Sequence, residues 1–221
     1  MPFLTFLRLP HGFSVMMNQP DGLPRVIQLV QAAVDDGQGS GLRALFPEEP
    51  GGGAWLGVNE AGTAFALLSL GYDARLASLV PAALGARTAG GGLERAAALG
   101  LEDLAPFVLA GLEPRHAAMS LSWDGRRLER RLHPDGAFQT GLGPDAEASR
   151  QAFKVFGEGA EGMDEAGVLA GQEALHLSQP WGRHAQTLVL ERQILLRYID
   201  APAHAQGLEP QTAWLGREPD F

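Results

Sequence analysis

The chain has 221 residues, of which 45% are hydrophobic, so it is long enough to bury a sizeable core. Its 17 basic and 26 acidic residues give a formal net charge of −9, which disfavours binding to nucleic acid or to anionic lipid surfaces. The sequence contains no cysteine, which excludes disulfides, thiolate metal sites and a cysteine nucleophile. It shows no signal-peptide pattern and no apolar run long enough to span a membrane, so we expect a cytoplasmic protein.

The N-terminal segment predicts a hairpin, in which the apolar runs 3–9 and 13–17 are joined by a turn at Pro10, His11 and Gly12. After a second turn, the apolar spacing of residues 26–34 predicts a helix, although the valines and isoleucine there also allow a strand. Residues 38–53 contain two prolines and three consecutive glycines, which predict a loop.

Residues 54–58 and 63–68 predict a second hairpin around a turn at residues 59–62. Both of its arms are almost continuously apolar, which is typical of strands that are buried on two faces. The sequence therefore predicts a sheet that is covered both above and below.

The remaining two thirds of the chain predict helices followed by further hairpins. Helical spacing is found in residues 75–84, 93–112 and 145–156, with a break at the glycines 90–92. Hairpins are predicted for residues 117–132 around Asp124 and Gly125, and for residues 187–198, and the C-terminal tail adds an edge strand or nothing. This order, with no internal repeat or linker, predicts one α+β domain over residues 1–221 with largely antiparallel sheets.

Two features of the sequence suggest a nucleotide-binding loop or a metal site, but neither has the residues that such a site requires. Residues 157–162 spell GxGxxG, but a phosphate-binding loop needs a preceding strand, and Glu158 and Glu161 would face the phosphates, so we predict an acidic turn. The six histidines are scattered without metal-ligand spacing. We therefore expect neither a metal nor a cofactor.

Residues 52–62 read Gly-Gly-Ala-Trp-Leu-Gly-Val-Asn-Glu-Ala-Gly, which resembles the GGTWLGV-x-x-x-G signature of the NRDE family, also called the transport-and-Golgi-organisation family. In the family order, Asn18-Gln19-Pro20-Asp21 takes the place of Asn-Arg-Asp-Glu, and residues 181–187 take the place of a late Tyr-Gly-Thr-Arg segment. The resemblance implies the fold of the N-terminal-nucleophile (Ntn) hydrolases. That fold is a four-layer αββα sandwich of two mainly antiparallel sheets.

The resemblance also implies a chemistry and a set of site residues. In Ntn hydrolases the first residue of the mature chain attacks an amide carbonyl, and its own amine handles the proton. Here that nucleophile position falls on Pro2, and the oxyanion-stabilising position of the central hairpin falls on Asn59. Candidate ligand-binding residues are Asn18, Asp21, Trp55, Arg183 and His184.

Each candidate also has a structural interpretation. Asn59 and Asp21 lie in sequences typical of turns, and a tryptophan in an apolar hairpin, such as Trp55, is ordinarily a core residue. Arg183 and His184 either bind a carboxylate or phosphate group, or they form a solvated strand entrance, in which both side chains are exposed to solvent where the strand begins.

The departures from the family pattern decide the functional prediction. Pro2 has no nucleophilic side chain, and the arginine and aspartate of the family motif fall on Gln19 and Pro20. We therefore predict a divergent family member that lacks amide hydrolase activity and binds an unknown small molecule or protein partner.

Two alternatives remain open. The first is an amide hydrolase that uses the Pro2 amine after removal of Met1, or a new terminus made by self-cleavage before Ser40 or Thr63. The second is a structural protein that forms a homo-oligomer through the edges of its sheets.

Overall fold

A computed structural model describes residues 3–19, 28–37, 39, 41–50, 52–69, 74–134, 137–141, 146–160, 162–177, 182–191 and 193–216. In chain order the described strands are β1 (Phe3–Leu9), β2 (Gly12–Gln19), β3 (Gln28–Val34), β4 (Leu42–Glu48), β5 (Leu56–Asn59), β6 (Ala64–Ser69), β7 (Phe107–Leu112), β8 (Ala118–Trp123), β9 (Leu128–His133), β10 (Ala137–Gly141), β11 (Arg183–Leu190), β12 (Gln193–Asp200) and β13 (Gln211–Gly216). The described helices are α1 (Ala74–Ala77), α2 (Leu79–Leu84), α3 (Ala89–Ala97), α4 (Ala146–Gly159), α5 (Glu165–Leu177) and α6 (Ala201–His204).

The strands form two antiparallel sheets that lie face to face. The first has the order β10-β1-β2-β11-β12-β13, and the second has the order β3-β4-β5-β6-β7-β8-β9. Helices α4 and α5 cover the first sheet, while α2 and α3 cover the second. The predicted α+β class and the four-layer αββα sandwich are therefore confirmed.

Alternation along β1 shows how the sequence fills these layers. Leu4 and Phe6 lie in the main core cluster, together with side chains of both sheets. Leu7, on the other face of the strand, packs against Phe153 of α4 and Val168 of α5 in a smaller cluster. Because side chains alternate between the two faces of a strand, one sequence serves both apolar layers.

The central hairpin is confirmed as β5 and β6, and all ten of its strand residues are buried. A Cβ atom on Gly57 of β5 would lie 2.6 Å from a methyl of Leu84 in α2, so the helix rests directly on the strand backbone. The hairpins β1–β2, β8–β9 and β11–β12 are confirmed as well. Of the two outcomes left open for the C-terminal tail, the structure has the edge strand, β13.

Three predicted elements were wrong. Residues 26–34 contain strand β3 instead of a helix, and residues 38–53 contain strand β4 instead of a loop. The predicted helix 93–112 ends at Ala97 and is followed by strand β7. For β3 and β7 tertiary packing decides the structure, since a short apolar run fits a buried strand and a buried helix equally well. Strand β4 forms because it pairs with β3 on one side and β5 on the other.

The glycines 90–92 do not break a helix; they lie inside the first turns of α3. The Thr88 side chain caps this helix by accepting a hydrogen bond of 3.2 Å from the Gly91 N–H. Gly157 and Gly159 also lie within a helix, α4, so the predicted acidic turn does not begin where the GxGxxG pattern begins. Helix α5 and strand β10 were not predicted.

No helix within the described ranges is long and apolar enough to cross a lipid bilayer.

The two glycines 90 and 92 allow a matched test of the contact between α3 and the second sheet. A Cβ atom on Gly92 would lie 2.0 Å from Cζ of Phe65, whereas one on Gly90 would lie 3.6 Å from Cε of Met119. We expect Gly92→Ala to lower the free energy of unfolding by about 1–3 kcal/mol through overpacking. We expect Gly90→Ala to leave it unchanged or raise it by up to about 1 kcal/mol, because alanine favours helix. Urea unfolding followed by circular dichroism measures both, and equal effects would contradict this packing.

Candidate functional site

Three neighbouring strands of the first sheet meet at what we call the N-terminal corner, defined by Phe3, Asn18, Glu49, Arg183 and His184. Phe3 of β1 is paired with Asn18 of β2, and Asn18 is paired with His184 of β11. The Phe3 N–H donates a hydrogen bond of 2.7 Å to Oδ1 of the buried Asn18 side chain. This corner is where the resemblance places the Ntn nucleophile, although Pro2 itself and Asp21 lie outside the described residues.

A buried polar layer joins this part of the sheet to α5. The Thr5 hydroxyl lies 2.9 Å from Nε2 of His176, and Nε2 of Gln172 donates a hydrogen bond of 3.2 Å to the same hydroxyl. The Ser14 hydroxyl donates to Oε1 of Gln172. All four side chains are fully buried. The two hydroxyls nearest the corner in β1 and β2 are therefore occupied by contacts with the helix.

Two buried histidines complete this layer. The ring of His176 stacks on Phe3, with centroids 4.1 Å apart, and faces the edge of His184 at 6.2 Å. Burial, and secondarily the neighbouring His184, lowers the pKa of His176 well below its usual value, and burial lowers the pKa of His184 to about 4. Both rings are therefore neutral at pH 7. Neither ring nitrogen of His184 has a hydrogen-bond partner among the residues that the structure describes.

Arg183 crosses from one sheet to the other at the corner. Its Nη1 lies 3.2 Å from Oε1 of Glu49, the residue that follows β4, and both side chains are about 95% buried. Neither Arg183 nor His184 thus forms a solvated strand entrance. Removing one partner of a buried ion pair is strongly destabilising, so this pair contributes to holding the two sheets together.

Trp55 lies in the main core cluster at the end of the sandwich that also holds Glu49, and it is 3% exposed. Its carbonyl oxygen accepts a hydrogen bond of 2.7 Å from the Leu67 N–H, which joins it to β6. Its indole Nε1 has no partner within the described part of the chain. The indole therefore contributes apolar packing between the sheets.

Asn59 lies at the other end of the sandwich. Gly62, in the same turn as Asn59, lies close to Val189 of β11. Arg183, at the corner, lies six positions earlier in the same strand, which corresponds to about 20 Å. The structure thus brings Asn18, Trp55, Arg183 and His184 to one end and leaves Asn59 at the opposite one.

The whole side-chain amide of Asn59 is used within the chain. Its Oδ1 accepts hydrogen bonds from the N–H groups of Ala61 and Thr63, at 3.1 and 3.2 Å. Its Nδ2 donates to the carbonyl oxygens of Leu84 and Ala86, at 2.9 and 2.7 Å. Asn59 therefore fastens the turn between β5 and β6 to the segment that follows α2.

These two segments line a cleft of about 870 Å³, which we call the distal cleft. Its apolar part is formed by side chains of the first sheet, including Val189, Ile194 and Leu215, and by Pro114. Its ionisable part is formed by His11, Arg43, Glu60, Arg87, Glu113, Arg115, His116 and Glu191. The sequence did not predict this site, because its ionisable residues come from six separate segments with no common motif.

Most of the charges in the distal cleft are paired. Arg43 lies 2.7 Å from Glu60, and Arg115 contacts Glu191. The Arg43 hydrogen bond is the main cause of a lowered pKa of Glu60, and Arg87 adds a smaller electrostatic contribution.

Glu113 and Arg87 differ in how far they are engaged. Glu113 accepts a hydrogen bond of 2.9 Å from the Ala89 N–H at the start of α3, and its other oxygen lies 3.1 Å from His116. The Arg87 side chain is exposed and forms no hydrogen bond or ion pair with any residue described. It is the arginine of this cleft that remains available to a ligand.

Among the described residues, no group of three or more histidine, aspartate or glutamate side chains lies close enough to hold a metal ion.

Neither a family model nor a curated protein matches the sequence. Among solved structures, penicillin V acylase from Agrobacterium tumefaciens is similar with a TM-score of 0.67 and 10% identity, over 98% of this chain and 86% of the acylase chain. A Gly-1 mutant of Anbu from Hyphomicrobium sp. strain MC1 aligns at 10% identity with a TM-score of 0.43, over 86% and 80% of the two chains. The protein has an Ntn-hydrolase-like fold, and at this identity the likeness extends to the fold alone.

The bonding of Asn59 predicts a structural effect on substitution. Asn59→Ala leaves two N–H groups and two carbonyl groups without their partner, so we expect the free energy of unfolding to fall by at least about 2 kcal/mol. Thr63→Val is the matched control, because it removes only the 2.9 Å bond to the Arg87 carbonyl and should lower it by about 1 kcal/mol. Chemical denaturation compares the two variants. Equal losses would show that Asn59 does not fasten this turn.

The buried histidines predict a dependence of stability on pH. In the folded state the pKa of His184 is about 4, against an ordinary value of 6.5, so the unfolded chain binds more protons between these pH values. The free energy of unfolding should therefore fall as the pH is lowered through this window, and His184 alone should contribute a loss of about 3 kcal/mol.

Denaturation at several pH values checks this expectation. His184→Leu should reduce the slope between pH 6.5 and 4, whereas His11→Gln, which alters an exposed histidine, should keep it. The interpretation fails if the wild type and His184→Leu show the same slope.

Proposed function

We propose that this chain uses an Ntn-hydrolase-like scaffold to bind a small organic anion in the distal cleft and does not hydrolyse amides. The observation that carries the proposal is the contrast between the two ends of the sandwich. At the N-terminal corner Asn18 accepts a hydrogen bond from the Phe3 N–H, and Arg183 pairs with Glu49. At the opposite end an open cleft presents Arg87 beside an apolar wall.

The residues at and near the corner support the proposed absence of amide hydrolase activity. The resemblance puts Pro2 at the nucleophile position, and the chain has no cysteine that could replace it. The nearby hydroxyls of Thr5 and Ser14 are bonded to residues of α5. An activated nucleophile requires a base within hydrogen-bonding reach and an open path to substrate, and these buried groups lack such a path.

The resemblance to the NRDE family belongs to the same proposal, supported by residues 52–62. On that basis the ligand contacts would be Asn18, Asp21, Trp55, Arg183 and His184. We favour the distal cleft, because Asn18 accepts from Phe3 and Arg183 pairs with Glu49. Asn59 then acts as a positioning residue, which holds the turn 60–63 and the segment carrying Arg87.

The chemistry of the cleft indicates the class of ligand. A guanidinium group binds carboxylate or phosphate with two parallel hydrogen bonds. Val189, Ile194 and Leu215 offer an apolar surface for the body of the molecule. We therefore propose a ligand that carries one anionic group on an apolar body.

Hydrolysis is tested with the purified protein and a panel of amides and esters that includes penicillin V. We expect no turnover above the uncatalysed rate, for the wild type and for Pro2→Ala alike, because the corner offers no activated nucleophile. Turnover by the wild type that is lost in Pro2→Ala would establish the alternative mechanism, in which the Pro2 amine reacts. N-terminal sequencing decides whether that amine is free.

Binding is tested by calorimetry with benzoate and with inorganic phosphate as probes. We expect benzoate to bind more tightly than phosphate, and Arg87→Ala to weaken benzoate binding by about tenfold, the equivalent of about 1.4 kcal/mol. Arg126→Ala, which removes an exposed arginine outside the cleft, is the matched control and should bind normally. Equal affinities of the two variants would refute the proposed site.

A further inference from the structure

Strand β9 forms one edge of the second sheet. Among the residues that the structure describes, it is the last strand of that sheet and pairs with β8 alone. Five of its six residues are exposed, among them Leu128 at 37% and Leu132 at 63%. An open edge with exposed leucines is a surface on which another strand can pair.

The sequence of β9, Leu-Glu-Arg-Arg-Leu-His, is complementary to itself in one antiparallel register. If two copies pair with Arg130 on the symmetry axis, Leu128 of each copy lies opposite Leu132 of the other. Glu129 of each copy lies opposite Arg131 of the other. Apolar pairs and opposite charges directly across an antiparallel ladder both stabilise it.

The neighbouring registers lack this match. Placing the axis between residues 130 and 131 sets the two arginines against each other and Glu129 against Leu132. Placing it on Arg131 sets Arg130 against Leu132. Only the register centred on Arg130 pairs leucine with leucine and glutamate with arginine, and like charges directly opposite are unfavourable.

That register brings Arg130 against its own copy, and α3 supplies the compensating charge. Glu94 of this helix lies 3.4 Å from Nη1 of Arg130 within each chain. The Glu94 carboxylate of each chain would therefore offset the repulsion between the two Arg130 guanidinium groups at the axis.

We propose that β9 is the contact through which two copies of this chain form a symmetric dimer, with the two seven-stranded sheets joined edge to edge. A two-fold interface uses the same patch on both copies, which is the arrangement that this register creates. The inference does not rest on the proposed ligand, because the strand shares no residue with the distal cleft.

Light scattering coupled to size exclusion, over about a hundredfold range of protein concentration, should show a monomer–dimer equilibrium. Glu129→Arg or Arg131→Glu alone should weaken dimerisation by at least about tenfold, because each replaces two attractive contacts with two repulsive ones. Arg126→Glu, in the adjoining turn, is the matched control and should keep the dimer. A wild type that stays monomeric throughout would overturn the proposal.

Mixing the two single variants separates lost complementarity from lost folding. An equimolar mixture of Glu129→Arg and Arg131→Glu chains restores opposite charges at both positions, so a mixed dimer should form although neither variant pairs with itself. The proposal is overturned if the mixture remains monomeric, or if the single variants dimerise as strongly as the wild type.

Discussion

The two sheets can contact each other only through an apolar layer, and this constraint governs the placement of polar groups elsewhere in the molecule. Phe6, Val15, Val58 and Ala66 are representative of that layer, and all are at most 1% exposed. Burying a polar group without a partner is costly, so the polar residues of the same strands are placed at the ends of the sandwich or on the helix side. Thr5 and Ser14 are examples, since they face α5 and bond to its side chains.

The two ends of the sandwich satisfy this constraint in different ways. At the N-terminal corner, Arg183 and Glu49 are buried as an ion pair that links the two sheets. At the distal cleft, charged side chains remain in contact with solvent, and Arg87 has no counterion in the described part of the chain. The function that we propose follows from this contrast, because one fold can carry different functions at different sites.

The sequence predicted the architecture better than the site. Hairpins with strong turn signals, such as the one at Asp124, and strands apolar on both faces, such as β5 and β6, could be located because their patterns are local. Strand β7 was mistaken for helix, because its six residues are nearly all apolar and only the neighbouring strands fix its conformation. The distal cleft and the partnership of Arg183 with Glu49 could not be predicted, since they join residues over a hundred positions apart.

The central claim is that ligand recognition has moved from the N-terminal corner to the opposite end of the sandwich, and mapping of amide chemical shifts by NMR tests it most directly. On titration with benzoate, the account predicts that the amides of residues 60–63, 87–88 and 189–191 shift together and saturably. The amides of Phe3, Asn18 and Arg183 should remain in place. Shifts centred on those three residues, with none in the distal cleft, would contradict the account.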